Sequence, residues 1–256
     1  TGQDLKIFKS NPEDRYSLPD NEILHLTQDS LNNIWISTRE GMVTYDEKHG
    51  NFTLVNRDII YSSLCITDGI LFGSENRIYK YDYKKRSFKS INIKKQEDKG
   101  SDVTKYRVQK IIAFSEREAL VATRRDGVYV LDYQTMRLKR LFSGSNNILQ
   151  GAYLSSNGYI YLSFWGQGLF CYEKTGKFIK RYTKENSDLT NNYVLDIVEK
   201  EGFLWLATDG GGINRLELSN ENFSNLYHIA GDKNSLPVNS VTILYKDENE
   251  GLWAGS

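Results

Sequence analysis

One four-residue phrase recurs six times along these 256 residues, and its spacing constrains the fold more than any other feature. Trp35-Ile-Ser-Thr38, Leu71-Phe-Gly-Ser74, Leu120-Val-Ala-Thr123, Tyr161-Leu-Ser-Phe164, Trp205-Leu-Ala-Thr208 and Trp253-Ala-Gly-Ser256 are versions of it. A large apolar residue leads, a shorter one follows, and small residues fill most of what remains. The steps between successive copies are 36, 49, 41, 44 and 48 residues. A period of roughly 40 to 50 residues with an aromatic signature is the mark of a β-propeller blade.

An apolar run precedes each copy, as in Ile23-Leu-His-Leu26 and Val194-Leu-Asp-Ile-Val198. A Gly-containing turn and a third run follow, as in Gly41-Met-Val-Thr-Tyr45 and Gly168-Leu-Phe-Cys-Tyr172. A fourth run closes each unit around Phe52, Phe88, Leu138, Phe178 and Phe223. Four strands per repeat, rich in Ile, Val, Tyr and Phe and bounded by Asn, Asp and Gly, predict an all-β chain of four-stranded antiparallel blades. Complete blades are expected over about 17–55, 57–93, 104–142, 146–182 and 189–228, with a partial sixth over 235–256. Residues 1–10 read as the outer strand of a preceding blade, so the chain is expected to be a piece of a larger propeller. The first two strands of each blade are nearly continuous in apolar residues and are expected to be buried on both faces. The third strands alternate and are expected to be half-exposed. Trp35, Trp205 and Trp253 are expected between blades, and Gly41, Gly127, Gly168 and Gly212 at turns that need backbone freedom.

Composition excludes several classes. The net charge is zero, which removes the field that recruits nucleic acid. No run approaches the roughly 18 apolar residues of a membrane helix. Cys65 and Cys171 stand two blades apart and are expected as buried free thiols. His25, His49 and His228 are scattered through different units, as core or surface filler. With no metal-ligand spacing and no acid–base constellation, neither metal, cofactor nor hydrolase activity is expected. The charge is unevenly spread. Arg77 to Arg140 carries 18 Lys/Arg against 8 Asp/Glu, and Ser187 to Ser256 carries 4 against 11. A solvated rim accounts for this; so does a basic sector that meets an anionic ligand.

Ser17-Leu-Pro-Asp-Asn-Glu-Ile23 and Ser235-Leu-Pro-Val-Asn-Ser-Val241 each lead into a strand. Asp29-Ser-Leu-Asn-Asn-Ile-Trp35 and Asp247-Glu-Asn-Glu-Gly-Leu-Trp253 come next, and Thr208-Asp-Gly-Gly-Gly-Ile-Asn-Arg-Leu216 follows the Trp205 copy. This string resembles the two-component-regulator propeller repeat, and the resemblance extends over nearly the whole chain, degenerating in the second to fourth units. It implies the periplasmic sensor region of a bacterial hybrid two-component system or sensor histidine kinase of Bacteroidetes type. Such a region regulates polysaccharide utilisation by recognising glycan fragments. The resemblance also implies a homodimer in the full-length sensor, and a membrane span and kinase in further segments of the parent protein.

Loops from second to third strand, and loops between blades, open on one face of a propeller. That face is expected to gather Arg39, Arg107, Arg124, Arg125, Trp165, Gln167, Asn192 and Asp209 as ligand-binding residues. Trp165 follows the motif where other units show Arg, Glu or Asp. Sugar faces stack on aromatic rings, while guanidinium groups pair carboxylates or sulfates in planar, bidentate fashion. An anionic oligosaccharide is therefore the expected ligand. Turn chemistry alone is the competing account of the Asn and Asp positions. A docking or dimerisation scaffold is the alternative function. A propeller lyase or glycosidase is a further one, which would need paired carboxylates converging on one pocket.

Overall fold

A computed structural model describes residues 6–93, 103–144, 147–247, 249 and 251–256. Two compact units result, Thr1–Ile111 with Tyr133–Arg137, and Ile112–Asp132 with Leu138–Ser256. The first unit opens with β1 (Ile23–Gln28), β2 (Ile34–Thr38), β3 (Gly41–Asp46) and β4 (Asn51–Asn56) as one sheet. A second sheet follows, of β5 (Ser62–Ile66), β6 (Gly69–Gly73), β7 (Arg77–Asp82) and β8 (Ser87–Asn92). After a 3-10 turn at Val103–Tyr106 comes β9 (Val108–Ala113). It forms the third sheet with β10 (Glu118–Thr123), β11 (Gly127–Asp132) and β12 (Arg137–Ser143).

The second unit continues with β13 (Leu149–Leu154), β14 (Tyr159–Phe164), β15 (Gly168–Glu173) and β16 (Phe178–Tyr182). The fifth sheet is β17 (Val194–Lys200), β18 (Phe203–Thr208), β19 (Gly212–Glu217) and β20 (Phe223–Leu226). A two-stranded sheet of β21 (Ile243–Lys246) and β22 (Leu252–Gly255) completes the described strands. Every four-stranded sheet keeps chain order from edge to edge, and neighbouring strands run antiparallel. This is the blade that the repeat period predicts.

The recurring phrase lies on the second strand of each sheet, and the leading Trp35, Tyr161 and Trp205 pack on the sheet that follows. In the first unit, Trp35 is buried among Phe72, Tyr81 and Phe88, with ring centroids 5.1, 5.2 and 6.4 Å away. In the second unit, Tyr161 shares a core with Val194 and Ile197, and Trp205 packs half-buried beside Val241 and Leu244. Every copy but the fourth ends in Ser or Thr, and the Thr hydroxyls close the next turn. Thr38, Thr123 and Thr208 donate from Oγ1 to the carbonyls of Gly41, Gly127 and Gly212 at 3.0, 2.7 and 2.8 Å. Those glycines are held by two constraints. At Gly127 φ is +130° and a Cβ would sit 2.4 Å from the Phe142 carbonyl; at Gly168 φ is +77° and the Tyr182 carbonyl would be 2.2 Å away.

The lead-ins Ser17-Leu-Pro19, Asp188-Leu-Thr190 and Ser235-Leu-Pro237 are clasps. Leu18, Leu189 and Leu236 anchor three loops in the apolar layer. Three residues after each, Asn21, Asn192 and Asn239 accept a backbone N–H through Oδ1, from Ser10, Lys184 and His228 at 2.8, 2.9 and 2.6 Å.

Four expectations are corrected. Burial is deepest in the second strands, as in β6 and β10, and at the start of the third, whereas first strands such as β1 are part-exposed. The first strand is a sheet edge and the second has a partner on both sides. Cys65 is consequently exposed on β5, while Cys171 is buried; both are free thiols. Trp253 is 64% exposed, and its Nε1 donates to Asp247 Oδ2 at 2.7 Å. Of the strand expected over 1–10, residues 1–5 lie outside those described. Residues 6–9 are not in a strand, and Ser10 makes one isolated bridge to Leu18. Phe8 there packs edge-on to Tyr45 and Phe52 at 5.1 and 5.2 Å. His25 fills the role expected of it: burial, then the nearby Lys110, lower its pKa to about 4, and its Nε2 lies 2.9 Å from Ser63 Oγ.

Trp35→Ala should lower stability by about 3–5 kcal/mol, the usual loss for a buried aromatic. Trp253→Ala should change it by less than about 1 kcal/mol, as at other surface positions. Denaturant unfolding of both variants checks the pair.

Candidate functional site

Loops between second and third strands, together with loops between blades, were expected to supply the site, and their side chains meet different fates. In the first unit the arginines are paired. Arg39 forms an exposed ion pair with Glu22, which raises its pKa further. Arg107 reaches Glu75 with Nε and Nη2 at 2.9 and 3.4 Å and lies over the Tyr61 ring at 4.3 Å. Burial, then the Glu75 charge, pushes the Tyr61 phenol up. Each of these guanidinium groups therefore has an acid partner of its own.

In the second unit, three expected residues serve the architecture. Gln167 holds Arg181, accepting at its carbonyl from Nε (2.6 Å) and at Oε1 from Nη2 (3.0 Å). Asn192 is one of the repeated loop clasps, and its Nδ2 donates to Glu185 at 3.0 Å. Asp209 accepts from Ser240 Oγ at 2.7 Å, joining two loops. Their side chains are thus engaged within the fold.

Arg124 and Trp165 are different. Arg124 and Arg125 line a cleft of about 150 Å³ between the third and fourth sheets, walled by Phe142, Phe164, Phe170 and Tyr172. The Phe142 and Tyr172 rings stack at 4.7 Å with 12° between planes, and Phe170 lies near-parallel to Tyr172 at 6.5 Å. The neighbouring acid does not neutralise Arg124, because Asp126 is engaged elsewhere. Its Oδ2 accepts from Arg140 Nη2 at 2.6 Å and from the Tyr129 hydroxyl, whose pKa burial and then Asp126 push up to about 12. The Nε–H of Arg124 is buried and meets no protein acceptor. Beside the cleft, Trp165 is 47% exposed and forms an edge-to-face pair with Tyr193 at 5.1 Å. Tyr193 is itself 39% exposed.

Sequence reading missed the cleft walls and Tyr193. A signal was present: Phe164 stands where the other copies of the phrase have Ser or Thr. A hydroxyl that closes a turn is replaced by a ring that lines a cleft. Among the described residues no group of three or more His, Cys, Asp or Glu side chains is placed to hold a metal ion. No helix among them is long and apolar enough to cross a membrane.

Residues 17–40 match the family described as two component regulator propeller. The first blade carries a two component regulator propeller repeat. The match covers the Ser17-Leu-Pro clasp, the Asp29 turn and the Trp35 phrase together. No curated protein matches the chain in sequence. Two crystal structures of the extracellular domain of BT4673 from B. thetaiotaomicron are similar to it. One is named a one component system and the other a hybrid two component system. Their TM-scores are 0.62 and 0.59, with identities of 15% and 16%. They match 97% and 98% of this chain, which spans 38% of each of theirs. The computationally designed Ika8 protein has a TM-score of 0.61 at 13% identity, over 90% of this chain and 67% of its own. The fold is a β-propeller of four-stranded antiparallel blades.

Arg107→Ala should lower stability by about 1–2 kcal/mol, because a part-buried bidentate pair and a cation–π contact are lost together. Arg39→Ala should leave stability unchanged within measurement error, as befits an exposed, solvent-screened pair. Equal losses in denaturant unfolding would contradict this account of the two arginines.

Proposed function

We propose that this propeller is the ligand-receiving part of an extracytoplasmic, periplasmic sensor of a two-component system. Its role is to bind a glycan fragment and pass the occupancy on to signalling segments of the parent protein. The family match at residues 17–40 and the likeness to the BT4673 extracellular domain support the sensor class. One observation carries the ligand reading: the repeat is broken where a cleft and an exposed aromatic pair lie side by side. Repetition explains Asn192 and the turn hydroxyls. It does not explain Phe164 or Trp165. Exposed Trp and Tyr rings present flat apolar faces with polar edges, which suits the alternating faces of a pyranose. Binding without turnover is the expected behaviour, with kinase activity in another segment and dimerisation a property of the full-length sensor.

Titration calorimetry against neutral, uronic and sulfated oligosaccharides tests this. At least one should bind, and Trp165→Ala or Tyr193→Ala should weaken it about tenfold, equivalent to ~1.4 kcal/mol. A stable dimer that binds none of them would favour the scaffold function. Release of reducing ends would make the domain an enzyme.

A further inference from the structure

The cleft between the third and fourth sheets selects among ligands by a chemistry that its walls define. Three of its rings, Phe142, Tyr172 and Phe170, are nearly parallel, with 12° between the planes of each successive pair. Phe142 and Tyr172 stack directly on one another, so these rings form one aromatic wall, and the outer face of such a wall suits the flat face of a ring. The volume of about 150 Å³ suits one six-membered ring, since an apolar cavity of that size takes benzene. An apolar guest would complete the packing but would leave the buried Nε–H of Arg124 without an acceptor. A buried donor on a permanently charged group is costly to leave unpaired. Asp126 does not supply the acceptor, being bound to Arg140 and Tyr129. Among the described residues, no carboxylate forms an ion pair with Arg124. A guest that brings both a ring face and a planar anionic acceptor would answer both features at once.

We infer that this cleft binds a ring bearing a carboxylate, with the ring against the Phe142–Tyr172 wall and the carboxylate on the Arg124 guanidinium. A carboxylate fits better than a sulfate. It is planar, as the guanidinium fork is, and its two oxygens can accept from one guanidinium edge. A sulfate is tetrahedral and leaves oxygens without donors in an aromatic slot. A uronic acid residue of a glycan and a free aromatic acid share this chemistry. The inference rests on the ligand-receiving reading above and narrows it to one class of guest.

The test uses matched pairs that differ only in charge: digalacturonate against its methyl ester, and benzoate against benzamide, titrated calorimetrically into the chain. In at least one pair the acid should bind tenfold or more tightly than its neutral partner. Preference in the first pair assigns a uronic residue, and preference in the second an aromatic acid. Arg124→Gln should abolish the preference, and Arg124→Lys, which keeps the charge but loses the planar fork, should retain only part of it. Thermal melting of both variants checks folding; Arg124 is part-exposed in a turn and should be tolerated. Equal binding of acid and neutral partner, or a preference that survives Arg124→Gln, would overturn the inference. So would binding of N-acetylglucosamine 6-sulfate as tight as that of the acids. If neither pair binds while a neutral oligosaccharide binds in a Trp165-dependent way, the inference falls and the sensor reading stands. If nothing binds at all, both fall.

Discussion

The burial of one residue per blade against the next sheet is the contact on which the rest depends. Trp35 on Phe72 and Tyr81, Tyr161 beside Val194 and Ile197, and Trp205 beside Val241 and Leu244 are the same event in different residues. Strand side chains alternate with a period of two, so a one-residue slip would turn each of these residues to the opposite face. Register must therefore be fixed at every second strand. The structure fixes it locally, with a hydroxyl on the turn carbonyl and a glycine that the fourth strand's backbone leaves no room to replace. Asn and Leu clasps then hold the loops between sheets. Almost every repeated residue is accounted for by this one requirement.

That economy explains what could be read from the sequence. The period, the strand order and the special glycines follow from local pattern, and the structure reproduces them. Burial of the first strands was misread because apolar composition does not say which strand is a sheet edge. Trp253 was misread because a motif does not show whether a sheet lies beyond it. The charge excess around Arg77 to Arg140 was compatible with a solvated rim and with a basic sector alike. Pairs such as Arg107 with Glu75 and Arg140 with Asp126 join residues 32 and 14 positions apart, and no local spacing reveals them. Asn192 was singled out as a ligand residue although it has the same clasping role as Asn21 and Asn239. Three aligned lead-ins would have shown this.

The positions that the architecture does not explain are the informative ones. Phe164 in place of a turn hydroxyl, Trp165 next to it, and Arg124 with a buried unpaired donor cluster in one part of the second unit. A repeat protein is free to vary where its packing is indifferent, but each of these departures carries a local cost. Phe164 gives up a turn hydrogen bond, and Arg124 buries a charged donor. A ligand that stacks on the rings and accepts from the guanidinium offsets both. Natural sequences are locally consistent except where function intervenes, and the proposed ligand cleft makes this cluster such an exception.

The most direct test of that claim is to see where a ligand touches the chain. Backbone amide NMR shifts recorded during a titration with digalacturonate report contact residue by residue. The account predicts that the largest changes fall on residues 123–128, 147–149 and 164–172, around the cleft. Changes centred instead on the paired arginines, Arg39 and Arg107 with their loops, would contradict it.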